Sequence, residues 1–218
     1  MFVGHYGVSF AAQRMNRHVP LWILFIAVQL LDVFWAPFIL LGIERVRIVP
    51  GITASNPLDL YYMPYTHSLI GALLWSAAGY SLYRLWRRPA GGGAALVALA
   101  VFSHWILDFI VHRPDLPLYD DAVKVGLGLW NRPTLAFGLE AALLFGGMSL
   151  FLRGRAGPKA GMIVFGIVML AVQAVVFFGP PPTSDTAAAI TALLAYGLFA
   201  TFVARWESRH TAIAKRTV

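Results

Sequence analysis

His104 and Asp108 stand four residues apart in SHWILDFIVH. On a helix that spacing projects both side chains from one face, where an imidazole nitrogen and a carboxylate oxygen can hold one ion or bridge two. His112 continues the same face one turn further on. Carboxylate and imidazole without thiolate form a donor set for Zn first, with Mn or Fe as alternatives, and inward-facing pairs of this kind build the metal sites of helical bundles. Cysteine is absent from the 218 residues, so thiolate sites, disulfides and a Cys nucleophile are excluded and any metal must bind N and O atoms. His5, Asp32, His67 and Glu140 are the further groups whose position demands a reason. His18 and His210 read as solvated residues.

The elements that carry these groups follow from composition. The chain is 59% hydrophobic and 12% charged, with mean hydropathy +0.69, which points to lipid as its solvent. Apolar runs near Leu21 to Ile43, Ser68 to Trp86, Ala94 to His112, Thr134 to Leu152, Met162 to Gly179 and Ala187 to Trp206 each have about the 20 residues that a crossing needs. The expected fold is all-α, a polytopic membrane bundle of about six transmembrane helices in a single domain, 1–218. Its metal-site part is 1–152, its accessory spans 161–206 and its cytoplasmic tail 207–218. Gly91 to Gly93 and Pro180 to Pro182 read as short turns. FVGHYGVSFAA is apolar but about half a span long, so a half-membrane or interfacial helix is expected there. Its basic residues follow the apolar stretch, which argues against a removable signal peptide.

Basic residues divide unevenly between the two sides. Arg14, Arg17, Arg84, Arg87, Arg88, Arg153, Arg155, Lys159, Arg205, Arg209, Lys215 and Arg216 fall on one, and Arg45, Arg47, Arg113, Lys124 and Arg132 on the other. This asymmetry places both termini in the cytoplasm and the longer acidic, aromatic loops outside, in an inner (plasma) membrane. The net charge of +7 is then topological, and no nucleic-acid partner is expected.

An acid at the centre of a spanning helix costs about 2.5 to 3.5 kcal/mol on insertion scales, so Asp32, Asp108 and Glu140 each need a partner. Counted at 1.5 Å per residue from the basic side, Asp32 and His104 lie about 16 Å deep, Glu140 about 20 Å and Asp108 about 22 Å. His5 reaches that slab from the short helix, and His67 meets it if the first outer loop dips inward. Spans five and six carry no His, and their acids lie at loops or ends, so the chemistry is expected in the first two thirds. Polar packing between helices, with no metal, is the competing explanation. Arg113 and His112 are candidates for holding an anionic substrate oxygen; Asp115, Asp120 and Asp121 read as a wet loop. A proton- or ion-coupled transporter and a non-catalytic membrane accessory subunit stay open as alternative functions.

GHYGVSF, Asp32 within LLDVFWAPF, YTHSL at Tyr65 to Leu69 and SHWILDF at Ser103 to Phe109 resemble the YdjM-like family of membrane-bound metal-dependent hydrolases over roughly the first half of the chain. The resemblance implies His5, Asp32, His67, His104 and Asp108 as metal ligands; Glu140, a buried acid outside the resembling half, is expected behind them or as a general base beside Asp108. Where that family often carries an Asp-x-Asp-His run, this sequence supplies Asp32 alone. The order of an early His, an Asp, a His and a His-x-x-x-Asp is also, more faintly, similar to the helical zinc phospholipase C and nuclease group. That likeness implies hydrolysis of a lipid or lipid-linked (phospho)ester by a metal-activated water in a bacterial inner membrane.

Overall fold

A computed structural model describes residues 1–88, 92–153, 155 and 159–216, of which 210–216 are described as backbone. The Gly91 to Gly93 turn therefore lies partly outside the described residues, as do the side chains of His210, Lys215 and Arg216.

The short amino-terminal helix sits at the centre. α1 (Val3–Met15) has 13 residues, about 20 Å of helix, and Val3, His5, Tyr6, Ser9 and Phe10 are all fully enclosed. It is a half-length helix inside the bundle and not an interfacial one. Its glycines explain the burial. A Cβ at Gly7 would overlap the Leu143 carbonyl, and one at Gly147 would overlap the backbone of Gly7. Small residues thus let α1 and α6 (Pro133–Leu152) touch backbone to backbone, as membrane helices do. The Met1 end consequently lies deep among the helices.

The first expected span is broken. α2 (Leu21–Val28) and α3 (Leu30–Leu40) meet at Gln29 with a bend of 52°. α4 (Leu69–Arg87) and α5 (Gly93–Val111) pack closely on each other, α7 (Ala160–Phe178) lies on α6, and α8 (Asp185–Arg216) lies on α2 and α3. α8 runs on to Arg216, so residues 207–216 continue its helix. Pro180 to Pro182 do form the short connection from α7 to α8.

Among the described residues four helices are long and apolar enough to cross a membrane: α5, α6, α7 and α8 over Asp185–Arg209. The bent α2–α3 pair makes a fifth if it counts as one span. α4 is not among them, because its serines, glycines, tyrosines and two arginines dilute its apolar content.

The fold is mostly helical but not purely so. β1 (Arg45–Ile48) pairs antiparallel with β2 (Leu58–Tyr62), and β3 (Leu116–Tyr119) with β4 (Ala122–Val125). Both hairpins occupy the same end of the bundle, where Lys124 Nζ donates to the Tyr61 carbonyl. Alternating and aromatic residues in RVRI and LDLYY suit a half-buried strand, a period-2 pattern too short to stand out between long apolar runs.

Candidate metal centre

Four elements deliver the candidate ligands to one place. α1 brings His5, α3 brings Asp32, the segment before α4 brings His67, and α5 brings His104 and Asp108 on one face as their spacing requires. His104 Nε2 lies 3.1 Å from Asp108 Oδ2 and 3.7 Å from Asp32 Oδ1. His67 Nε2 lies 3.2 Å from Asp32 Oδ1 and 3.7 Å from Asp108 Oδ2. His112 Nε2 approaches Asp108 Oδ2 at 3.5 Å. On the other carboxylate oxygen, His5 Nε2 stands 3.2 Å from Asp108 Oδ1, which also receives the Met1 amino group. The His5 and His104 rings stack 4.0 Å apart.

Among the described residues two groups could hold an ion: His5, His104 and Asp108, and Asp32, His67 and His104. Within each, the ligand atoms lie within 4.8 Å of one another. Donors at about 2.0 to 2.1 Å from a tetrahedral Zn stand about 3.3 Å from each other, the scale of these separations. The hydrogen-bond accounts of the imidazoles decide their fit. His104 Nδ1 faces the Val28 carbonyl at 2.7 Å and must donate to it. His112 Nδ1 faces Asp115 Oδ1 at 2.9 Å. His67 Nδ1 faces Thr66 Oγ1 at 2.7 Å, and that hydroxyl spends its proton on Glu44 Oε2 at 2.6 Å. Each ring therefore carries its proton on the outward nitrogen, an assignment made from these partners. Each turns the lone pair of Nε2 toward the carboxylates, the tautomer a metal ligand needs. His104 Nε2 is buried and makes no hydrogen bond of acceptable geometry despite the neighbouring oxygens, so a cation between them would satisfy it.

Local structure explains why these groups hold still. The Val28 carbonyl accepts His104 where α2 and α3 bend. The segment before α4 turns inward because buried Glu44 accepts the Tyr65 and Thr66 amides at 2.9 and 2.8 Å. Trp105 Nε1 then donates to the His67 carbonyl, and Ser68 caps α4 by accepting from the Gly71 amide. The loop before α4 thus dips into the bundle, the condition for His67 to reach the cluster.

The remaining candidates lie elsewhere. Both oxygens of Glu140 are taken: Oε2 accepts the Phe2 and Gly4 amides at 3.0 Å each, and Oε1 accepts from Gln173 at 2.9 Å. Glu140 thus caps α1. Arg113 is turned toward Asp59 and Asp115, with its Nε 3.2 Å from Asp115 Oδ2. Asp115 itself is buried, so it does not belong to a wet loop. His18 is exposed and away from the cluster.

Sequence reasoning missed Glu44, Thr66, Gln173 and Tyr196. The phenol of Tyr196 on α8 donates to Asp32 Oδ2 at 2.8 Å, so the last two helices do contribute to the polar cluster. They do so through an amide and a phenol, which an inventory of His and acids passes over. Glu44 was detectable as an acid at the very end of an apolar run.

A cavity of about 490 Å3 opens on the cluster. Asp32, His67, Asp108 and His112 line it, together with apolar side chains of α3, α7 and α8; Glu140 and Arg113 do not. Its volume falls within the roughly 300 to 1,000 Å3 of small-molecule sites. No family model matches this chain, and no curated protein or solved structure matches it.

Proposed function

We propose that this chain is an inner-membrane metallohydrolase of the YdjM-like type, cleaving a lipid or lipid-linked (phospho)ester. The observation that carries the reading is the convergence of three outward-tied imidazoles on two carboxylates, buried Asp108 and half-buried Asp32, at the end of a cavity. Packing polar groups against each other requires no common tautomer; ligating an ion does.

His67, His104, Asp32 and Asp108 would hold a divalent ion, Zn by donor type, with His5 on the second oxygen of Asp108. Such an ion, when bound, lowers the pKa of a coordinated water toward about 7 and polarises a phosphoryl or carbonyl oxygen. The chain does the rest. Asp32 and Asp108 face the cavity, where they would present the ion to a substrate, and Glu140, with both oxygens taken while it caps α1, is not free to take a proton from an attacking water. Asp115 orients His112, and Arg113 holds Asp115. Trp35 and Trp130 help wall the cavity against bulk water.

In this reading α4, packed along α5, completes six crossings with the bent α2–α3 pair. The hairpin end faces away from the cytoplasm, as the basic residues favour. Metal analysis of the purified protein, together with turnover of a lipid phosphoester, tests the proposal. A bound transition metal close to one or two per chain, lost in His104→Ala and Asp108→Ala, is expected. Folded wild-type protein that neither carries nor takes up such a metal would sink it.

A further inference from the structure

α7 and α8 are consecutive in sequence yet touch mainly at one end. Phe165 on α7 stacks on Phe202 at 4.1 Å and meets Phe199 edge-on at 5.6 Å, closing the end of the bundle opposite the hairpins. Toward the hairpins the two helices part, and the cavity runs between them. Val172, Val175 and Val176 form one wall, and Ala188, Ala192 and Ala195 line the other. Val175 and Val176 are 66% and 49% exposed, so this wall is open at the side and not sealed within the bundle. Both helices are among those apolar enough to cross a membrane, so a side opening between them would meet hydrocarbon, while Pro57, Leu58 and Pro180 to Thr183 bound the cavity at the hairpin end.

The far end is of opposite character. There the cavity reaches Asp32, His67, Asp108 and His112, the donors of the candidate centre. A small water-soluble ester entering past Leu58, Leu60 and Trp130 at the hairpin end would leave the alanines of α8 uncovered. A ligand with a polar head and a hydrocarbon tail uses both ends. Once a divalent ion offsets the two carboxylates, an oxyanionic head is the one that the inner end attracts.

The geometry points to a lateral portal between α7 and α8 through which a phosphate-headed lipid enters, its head at Asp32 and Asp108 and its chain lying between the valines of α7 and the alanines of α8. This rests on reading the cluster as a metal centre. The smallness of Ala188 and Ala192 is then a requirement for the chain, and not merely a tolerated composition.

The test uses the full chain in phospholipid nanodiscs doped with a phosphatidic acid that carries a diazirine at the end of one acyl chain. After irradiation, adducts are mapped by peptide mass spectrometry. Adducts are expected at Val172, Val175, Val176, Ala188, Ala192 and Ala195 in excess of those at Ile163, Ile167 and Leu198, which are exposed apolar residues outside the cleft and report ordinary contact with lipid. Excess unlabelled phosphatidic acid should remove the first set and leave the second. Ala188→Trp, Ala192→Trp and, from the other wall, Val176→Trp should each abolish the cleft adducts while bound metal stays at the wild-type level. Cleft labelling no higher than at the exposed residues, or unchanged in all three variants, would overturn the portal. Cleft labelling that the Trp variants abolish in a protein without metal would uphold the portal and remove the metal centre instead.

Discussion

Thr66→Val replaces one hydroxyl by a methyl of nearly the same shape and isolates the imidazole orientation on which the metal reading depends. The wild-type hydroxyl accepts the His67 Nδ1 proton at 2.7 Å and gives its own to Glu44 Oε2 at 2.6 Å. In the variant Glu44 keeps the Tyr65 and Thr66 amides, so the inward turn of the loop survives. The loss falls on His67. With no acceptor at Nδ1, a buried N–H is left unpaired at a cost of about 1 to 3 kcal/mol. The imidazole escapes that cost by moving the proton to Nε2, which then donates to Asp32 Oδ1, 3.2 Å away in the native arrangement. That switch withdraws a ligand nitrogen and occupies the carboxylate oxygen opposite it. Loss of such a supporting hydrogen bond weakens metal binding by about 10- to 100-fold, equivalent to about 1.4 to 2.8 kcal/mol. Competition against a chromophoric chelator reads this directly, with circular dichroism and gel filtration showing that the fold persists. Thr66→Ser should restore the affinity because it restores the hydroxyl. A folded Thr66→Val protein with wild-type affinity would refute the claim that Glu44 and Thr66 fix the tautomer of His67.

Three further outcomes follow from the same geometry. Glu140→Gln keeps an acceptor for the amides of α1, so turnover should change little; a fall by the roughly 10²- to 10⁴-fold expected of a lost general base would return Glu140 to the chemistry. Gly7→Leu forces side-chain atoms into the backbone contact of α1 with α6, so the melting midpoint should fall by an amount matching overpacking of about 1 to 3 kcal/mol, and bound metal should fall with it because His5 rides on α1. Stripping the metal with a chelator should lower the melting midpoint of the wild type, by the equivalent of about 2.7 kcal/mol when the ion had been present at 100 times its Kd, and should leave His104→Ala unchanged.

The candidate ligands were legible in the sequence because lipid makes polarity conspicuous. Asp32, His104 and Asp108 stand in runs of apolar residues, where each charge is costly enough to require a reason. The groups that orient them were not legible, since the same residue types are ordinary where they occur. Asp115 and Thr66 fall in connections that look solvated, and Gln173 and Tyr196 are isolated polar residues in helices otherwise apolar. Their roles depend on tertiary approach, on α8 crossing α3 and on the outer loop folding inward. The break at Gln29 was hidden for a different reason. LWILFIAVQLLDVFWAPFILL is apolar throughout, and hydropathy responds to composition, not to a change of axis. The two hairpins were missed because strands of four or five residues leave too few alternations to register beside twenty-residue helices.

Where the chain departs from regular helix, it does so beside the cluster. Backbone that leaves a helix inside hydrocarbon loses its partners and is tolerated only when protein or a cavity satisfies it. Here the bend between α2 and α3 presents the Val28 carbonyl to His104, and the turn before α4 sets its Tyr65 and Thr66 amides on Glu44. The last turn of α5 passes into a segment whose Asp115 receives His112, and the free amides at the start of α1 are taken up by Glu140. Each irregularity therefore supplies, or is held by, a hydrogen bond to the cluster or to the element that carries it. A bundle built only for packing could have used uninterrupted helices at lower cost, since their backbones satisfy themselves. Three departures from helix meeting around Asp32 and Asp108, at Gln29, before α4 and after α5, favour a site that must hold its imidazoles in one orientation over a core that merely tolerates polar residues.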